Sequence, residues 1–83
     1  MTLQMNEPIA VIALFNEDGV RPLRIKQGEQ VYKIRNVVNS WWEKRGLDHT
    51  MHITIKTTDD VLMELVVDLA DLSWRISRVE IQT

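Results

Sequence analysis

The chain of 83 residues contains no cysteine. This absence excludes disulfide bonds, thiolate metal ligands and a cysteine nucleophile. A chain of this length has room for one domain, which we place at residues 1–83, and its stability must come from its apolar core. Since cysteine-free chains fit a reducing compartment, we expect the protein to be cytoplasmic.

Long hydrophobic runs are also missing. The longest uninterrupted apolar stretch is "IAVIALF" at 9–15, far shorter than the roughly 18 to 20 residues that a membrane helix needs. The opening "MTLQMNEP" carries no basic residue and so does not resemble the start of a secretory signal. We therefore expect no membrane partner.

Excess charge of one sign is small, with a formal net charge of −2, and this argues against indiscriminate nucleic-acid binding. The charge is nevertheless unevenly spread, because residues 21–45 hold seven basic side chains and two acidic ones. Those basic residues are Arg21, Arg24, Lys26, Lys33, Arg35, Lys44 and Arg45. The middle of the sequence is basic and both ends are acidic.

Glycine is scarce, and all three glycines lie in turn-like stretches: "NEDGV", "KQGEQ" and "KRGLD". Together with "TTDD" at 57–60 and "DLADLS" near 71, they separate six segments spaced roughly ten residues apart, which is typical of a β-meander. We predict an all-β fold, either a small SH3-like barrel or a strongly bent antiparallel meander of five to six strands.

Apolar residues alternate along several of these segments, as in half-buried strands. In the last segment the apolar parity changes at Ser77-Arg78, which predicts a β-bulge there. The segment at 9–15 is apolar on both faces and is predicted to be central or covered on both sides. The predicted core is Ile9, Val11, Leu23, Ile25, Ile34, Ile53, Ile55, Met63, Leu65, Trp74 and Ile76.

Residues 30–45 fit two structures. Val31, Ile34, Val38, Trp41 and Trp42 form an acceptable amphipathic stripe on a helix, and the alternative fold is an α+β domain with one helix at about 30–45. We favour a long bent strand with a bulge near 36–39, because the segment is rich in β-formers and lacks a strong helix N-cap.

The stretch "EPIAVIALFNEDGVRPLRIKQGEQVYKIRNVV" and the later "LSWRISRVE" are similar to a family of small uncharacterised bacterial domains, a domain of unknown function. The residues that carry the resemblance are Pro8, Ile9, Val11, Asp18, Gly19, Pro22, Leu23, Arg24, Tyr32, Ile34, Trp74 and Ile76. The resemblance implies a compact SH3-like barrel with no known activity. The double tryptophan and the two histidines do not belong to the pattern.

Candidates for chemistry are weak. His49 and His52 lie three residues apart, so on a strand they point to opposite faces and cannot share a metal ion. We expect His49 at a strand edge and His52 exposed. The serines lack a glycine-framed elbow, and no phosphate-cradling glycine loop is present. We therefore predict no catalytic residue, no metal, no cofactor and no enzymatic activity.

Binding is the more plausible role, and a protein partner or a second copy comes first. An exposed tryptophan or an open strand edge would be its contact surface. The alternative is a nucleic-acid-binding barrel that uses the basic 21–45 region, with cations for phosphate and a ring for stacking. The candidate contacts are Trp42, Lys44, Arg45, Arg24, Lys26, Lys33 and Arg35. A second possibility is that these cations only balance Glu64, Asp68 and Glu80 on neighbouring strands.

Trp41 and Trp42 are adjacent, so on a strand they point to opposite faces. Without a bulge, Trp42 would share the face of Tyr32 and Ile34, and a single bulge would give that place to Trp41. We predict one bulge, with Trp41 in the core and Trp42 exposed beside Lys44.

Overall fold

The chain forms six β-strands joined by short turns. A computed structural model describes residues 2–81; Met1, Gln82 and Thr83, which the predicted domain includes, lie outside the described residues. The strands are β1 (Thr2–Asn16), β2 (Gly19–Gln27), β3 (Gln30–Arg45), β4 (Asp48–Thr57), β5 (Val61–Asp68) and β6 (Ser73–Ile81). Each pairs antiparallel with the next, and β6 returns to β1 to close a barrel. The all-β prediction is confirmed, and 30–45 is a strand.

Two long strands change partner along their length. β1 pairs with β6 up to Ile9 and with β2 from Ala10 onward. β3 pairs with β2 only over residues 30–33 and with β4 from Ile34 onward. In each of these two strands, the two ladders follow one another along its length. The barrel measures 38 × 25 × 24 Å.

β-Bulges bend the strands and reset which side chains face inward. On β6, Ser77 is the extra residue between Ile76 and Arg78, and the bulge predicted at Ser77-Arg78 is confirmed. On β2, Leu23 is the extra residue, because Ile12 pairs with Arg24 and the next residue of β1 pairs with Pro22. Pro22 therefore faces the core and is fully buried, whereas Leu23, predicted in the core, is exposed.

The core is built mainly by β4, β5 and β6. Of the predicted core, seven residues are buried: Ile25, Ile53, Ile55, Met63, Leu65, Trp74 and Ile76. Three more, Ile9, Val11 and Ile34, are half-buried and pack against it. The prediction that 9–15 would be central or covered on both faces is wrong, since β1 after Ile9 pairs only with β2 among the described strands, and Ile12 and Leu14 on its outer face are exposed. Burial is thus complete on one side of the barrel and partial on the other.

Short polar side chains hold the turns at both ends of β5. The buried Thr57 hydroxyl accepts hydrogen bonds from the backbone N–H groups of Asp59 and Val61, at 3.3 and 3.2 Å. After β5, Asp71 accepts the Ser73 N–H at 2.9 Å. Hydrogen bonding by the Ser73 side chain and backbone lowers the pKa of Asp71. These bonds fix where β5 begins and where β6 starts.

Candidate protein-interaction site

One edge of β3 is open over most of its length. From residue 34 to residue 45, β3 pairs with β4 on one side, and none of the described strands pairs with its other side. The corresponding part of β2, residues 19–23, pairs only with β1. A cleft of about 470 Å³ lies between the two strands, and its lining includes Val20 and Pro22 of β2 and Ile34 and Val37 of β3. The barrel therefore has a gap in its wall where backbone donors and acceptors lack a ladder partner.

Two register shifts within β3 decide where the tryptophans point. Arg35 and Val38 are each the extra residue in the pairing with β4. Since two shifts cancel, Trp42 returns to the inner side of the sheet and pairs with Met51, while Trp41 pairs with His52 on the outer side. The bulge predicted near 36–39 is present at Val38, but a second bulge at Arg35 cancels its effect, so the predicted inward position of Trp41 is wrong.

The prediction that Trp42 is the more exposed ring is confirmed. Trp42 is 62 % exposed and Trp41 is 37 % exposed. Trp42 lies on the inner side, yet it remains uncovered because β3 has only β4 beside it at this position. At the tip of the same hairpin, Leu47 is 97 % exposed. The end of the β3–β4 hairpin thus presents Trp42 and Leu47 to solvent.

Trp41 belongs to a packed cluster on the outer face. Its ring stacks on the His52 ring, with centroids 5.1 Å apart and an angle of 13°. His52 Nε2 lies 2.8 Å from Glu43 Oε2, and His52 Nδ1 lies 3.4 Å from Glu64 Oε1. The second separation is a close approach without hydrogen-bond alignment, and Nδ1 has no hydrogen-bond partner among the described residues. His52 was expected to be exposed, and its side chain is only 16 % exposed.

Further contacts extend this cluster to β6. The Ser77 hydroxyl donates to Glu64 Oε2 at 2.9 Å, and Arg78 Nε lies 3.7 Å from the same oxygen. Val66, which is opposite His52 and opposite Arg75 in the pairing, is almost fully buried although it is on the outer face. The cluster therefore lies beside Val66, a buried apolar residue outside the barrel core. Its contacts join β3 to β4 and β5 on the outer face of the sheet.

The structure separates the predicted cationic contacts into two groups. Lys44 and Arg45 lie on the hairpin with Trp42, and Arg45 Nε bonds Glu43 Oε1 at 2.8 Å. Lys33 lies eleven residues earlier on β3, two of them bulge residues, which at strand geometry is roughly 30 Å from Lys44. The basic region of 21–45 is therefore not one patch around Trp42.

The other cations lie near the start of β3. Arg24 is opposite Lys33, and Lys26 is opposite Val31. Arg35 Nη1 bonds Asp60 Oδ1 at 2.7 Å. The balancing hypothesis required the candidate cations to face Glu64, Asp68 or Glu80 across a neighbouring strand, and none of them does. The basic side chains that contact Glu64 are His52 and Arg78, which are not candidates. That hypothesis is wrong for Arg24, Lys26 and Lys33, because β2 and the first part of β3 do not pair with β5.

Sequence reasoning missed the cluster of Glu43, His52 and Glu64. The signal was present in the alternation of β4 and β5, which puts His52 and Glu64 on outer faces, but their proximity depends on the register between strands. Within residues 2–81, no group of three or more His, Asp or Glu side chains is arranged to hold a metal ion. The described part of the chain also contains no helix long and apolar enough to cross a membrane.

These features define a closed antiparallel barrel with an open strand edge and exposed tryptophan beside it. Comparison of the chain with models of protein families, with curated proteins and with solved structures found no match. The resemblance to a bacterial domain family stays a prediction.

Proposed function

We propose that the protein is a non-catalytic interaction module that binds an extended segment of a protein partner, or of a second copy, along the open edge of β3. The observation that carries the proposal is the unpaired edge at residues 34–45 beside the exposed Trp42. An unpaired edge offers main-chain hydrogen bonds, and neighbouring side chains provide specificity.

The surroundings of Trp42 support a protein partner. Val38 is 53 % exposed on the same stretch, and Leu47 is exposed at the hairpin tip. Glu43 and Arg45 lie on the opposite face of β3 and pair with each other at 2.8 Å, so Lys44 is the cation of this stretch on the same face as Trp42. A ring with apolar neighbours and a single cation is typical of protein contacts, whereas strand binding by stacking requires several cations that track a phosphate backbone. For that reason we rank protein above nucleic acid.

The gap next to β3 also suits an added strand. Tyr32 and Ile34 on β3, and Val20 on β2, are only half-buried against the core. An extended segment with alternate apolar side chains would cover them while its backbone pairs with β3. We include in the proposal a cytoplasmic location, an SH3-like barrel type and a bacterial family, which rest on the sequence alone.

A peptide selection tests this proposal. The domain is immobilised and a random-peptide library is selected against it, and the bound peptides are then measured with purified variants. Trp42→Ala is expected to weaken binding by about thirtyfold, the effect of a hot-spot truncation of about 2 kcal/mol. The matched control is Leu72→Ala, because Leu72 is an exposed apolar residue on the β5–β6 turn.

N-methylation of the selected peptide separates strand pairing from simple hydrophobic contact. Methyl groups on alternate amides of one register should abolish binding, and those of the other register should leave it unchanged. Light scattering of the free domain identifies self-association. If peptides bind equally well to the Trp42→Ala variant and tolerate methylation in both registers, the proposal is wrong.

A further inference from the structure

The outer face of β1 and β2 carries a stripe of cations next to a stripe of aliphatic side chains. Along β2 the outward residues include Arg24 and Lys26, and along β1 they include Ile12 and Ala10. Ala10 is opposite Lys26, and Ile12 is opposite Arg24. Strands lie about 4.8 Å apart, so the two stripes run side by side at contact distance.

β3 extends this surface by two residues. Lys26 is opposite Val31, and Arg24 is opposite Lys33. The result is a regular grid of three strands and two rows, with Ala10, Lys26 and Val31 in one row and Ile12, Arg24 and Lys33 in the other. We call these six residues the cationic grid.

The aliphatic members of the cationic grid are open to solvent. Ile12 is 63 % exposed and Val31 is 52 % exposed. A groove of about 370 Å³ runs between them, with Arg24 and Lys26 among its walls. Leu23, raised out of the core by the β2 bulge, continues the exposed apolar surface beyond Arg24.

The cations of the grid have no internal counter-charge. Arg24 and Lys33 are directly opposite each other, an arrangement that destabilises an antiparallel pair because like charges repel. In the described part of the chain, no ion pair involves Arg24, Lys26 or Lys33. Arg24 and Lys33 therefore repel each other, and an anionic partner would reduce this repulsion.

We propose that the cationic grid binds an acidic amphipathic segment of another protein, with its carboxylates on Arg24, Lys26 and Lys33 and its aliphatic side chains on Ile12 and Val31. This site is separate from the open edge of β3, which begins after Lys33 and extends away from the grid. Complementary charge sets the orientation of the segment, and burial of the aliphatic groups adds affinity.

Aliphatic contacts favour this partner over nucleic acid. Binding of single strands depends on aromatic rings on which bases stack, and the grid contains none. An amphipathic helix places acidic residues at i and i+4 about 6 Å apart, which matches alternate residues along β2 at roughly 7 Å. Its apolar side chains, on the adjacent helical stripe, would reach β1.

The probe is a fluorescent synthetic helix with glutamates at every fourth position beside a stripe of leucines, titrated into the full chain at low and high salt. Binding is expected to weaken about tenfold in the double variant Arg24→Gln with Lys33→Gln, because two charge contacts are lost. Ile12→Thr, which keeps a strand-forming side chain, should weaken binding about fivefold. The control variant is Lys56→Gln, an outer-face cation of β4 outside both the grid and the open edge of β3, and it should bind as the parent does.

Two comparison ligands decide between partner classes. One is the same helix with every glutamate replaced by glutamine, which should lose most of its affinity, and the other is oligo-deoxythymidine, which should bind weakly. Equal binding of the glutamine helix would overturn the electrostatic basis. Tighter binding of the oligonucleotide, lost in the Arg24 and Lys33 double variant, would identify a nucleic-acid surface and overturn the proposal. Circular dichroism of each variant shows whether the barrel is retained.

Discussion

His52 shows how a side chain on the outer face of a small barrel becomes part of its structure. Its ring is enclosed by Trp41 on one face and by two carboxylates at its edges. These contacts connect β4, which carries His52, to β3 and β5. Hydrogen bonds to charged groups and ring stacking each contribute roughly 1 kcal/mol to stability. Trp41, the neighbour of His52, is therefore a structural residue, while Trp42 on the opposite side of β3 is free to bind.

The two tryptophans are expected to differ in their effect on stability. Trp41→Ala removes the stacked ring above His52 and should lower the free energy of unfolding by about 1 to 2 kcal/mol. Trp42→Ala, at an exposed position, should change it by less than about 0.5 kcal/mol. Urea unfolding of both variants measures the difference. Equal losses at the two positions would contradict the assignment of their roles.

At the scale of the element, β-bulges decide which residues a strand contributes to the core. The bulge at Leu23 leaves the Leu23 side chain exposed and places Pro22 in the core. The bulge at Ser77 places Val79, rather than Arg78, in the core after Ile76. The Ser77 hydroxyl bonds the Glu64 side chain, so the extra residue is held by a contact with its partner strand. Each bulge adds curvature where β2 and β6 bend around the core.

Two truncations on β2 test this description. Ile25→Ala should cost about 2 to 5 kcal/mol because Ile25 is fully buried. Leu23→Ala, two residues earlier, should cost less than about 0.5 kcal/mol because the bulge leaves Leu23 exposed. Thermal and urea unfolding give both values. A cost at Leu23 as large as that at Ile25 would mean that β2 has a regular alternation without a bulge.

A truncation at the bulge of β6 has a smaller effect. Ser77→Ala removes the hydroxyl that donates to Glu64 Oε2, and Glu64 keeps only its longer contacts with His52 and Arg78. The expected loss is about 1 kcal/mol in the free energy of unfolding. The control is Thr54→Ala, which removes a hydroxyl from the neighbouring strand β4. Ser73→Ala would be a poor control, because Ser73 lies at an exposed turn. An unchanged midpoint for Ser77→Ala would show that the bond does not contribute.

For the whole molecule, the distribution of burial is asymmetric. β4, β5 and β6 supply most of the fully buried side chains, with Ile25 and Pro22 added by β2, whereas the other inward residues of β1, β2 and β3 are mostly half-buried. The side with incomplete burial is the one that contains the gap between β2 and β3. Stability and binding are thus assigned to different sides of one small barrel.

Amide exchange should reproduce this asymmetry. The amides of β4 and β5 that pair on both sides are expected to exchange only through global unfolding. In β3, amides at residues 34–45 that point to the open edge should exchange far faster than those bonded to β4. Exchange followed by NMR gives both rates residue by residue. Uniform protection along β3 would show that its second edge is covered in solution.

Much of the architecture could be predicted from the sequence, because turn glycines and period-2 alternation are local signals. Gly28 and Gly46 both take a φ of +59°, as hairpin turns require. The parity change at Ser77 was visible in the apolar pattern. The bulge at Val38 lies within the predicted 36–39, whereas those at Leu23 and Arg35 were not predicted, because each depends on how β2 or β3 fits its neighbours. The candidate site was predicted only in part, since Trp42 was expected to be exposed while the open edge and the cationic grid require the strand pairing.

The pairing of β1 with β6 has a kinetic consequence. Every other ladder joins strands that are consecutive in the chain, whereas Ile9 pairs with Trp74 across nearly the whole sequence. Loop-closure entropy makes so distant a contact slow to form, and we expect the seam to be made after the folding transition state. Ile9→Ala should then accelerate unfolding and leave the refolding rate nearly unchanged, while Ile53→Ala in the central hairpin should slow refolding. The barrel would open at the same seam where it last closed, so the seam sets the lifetime of the native state.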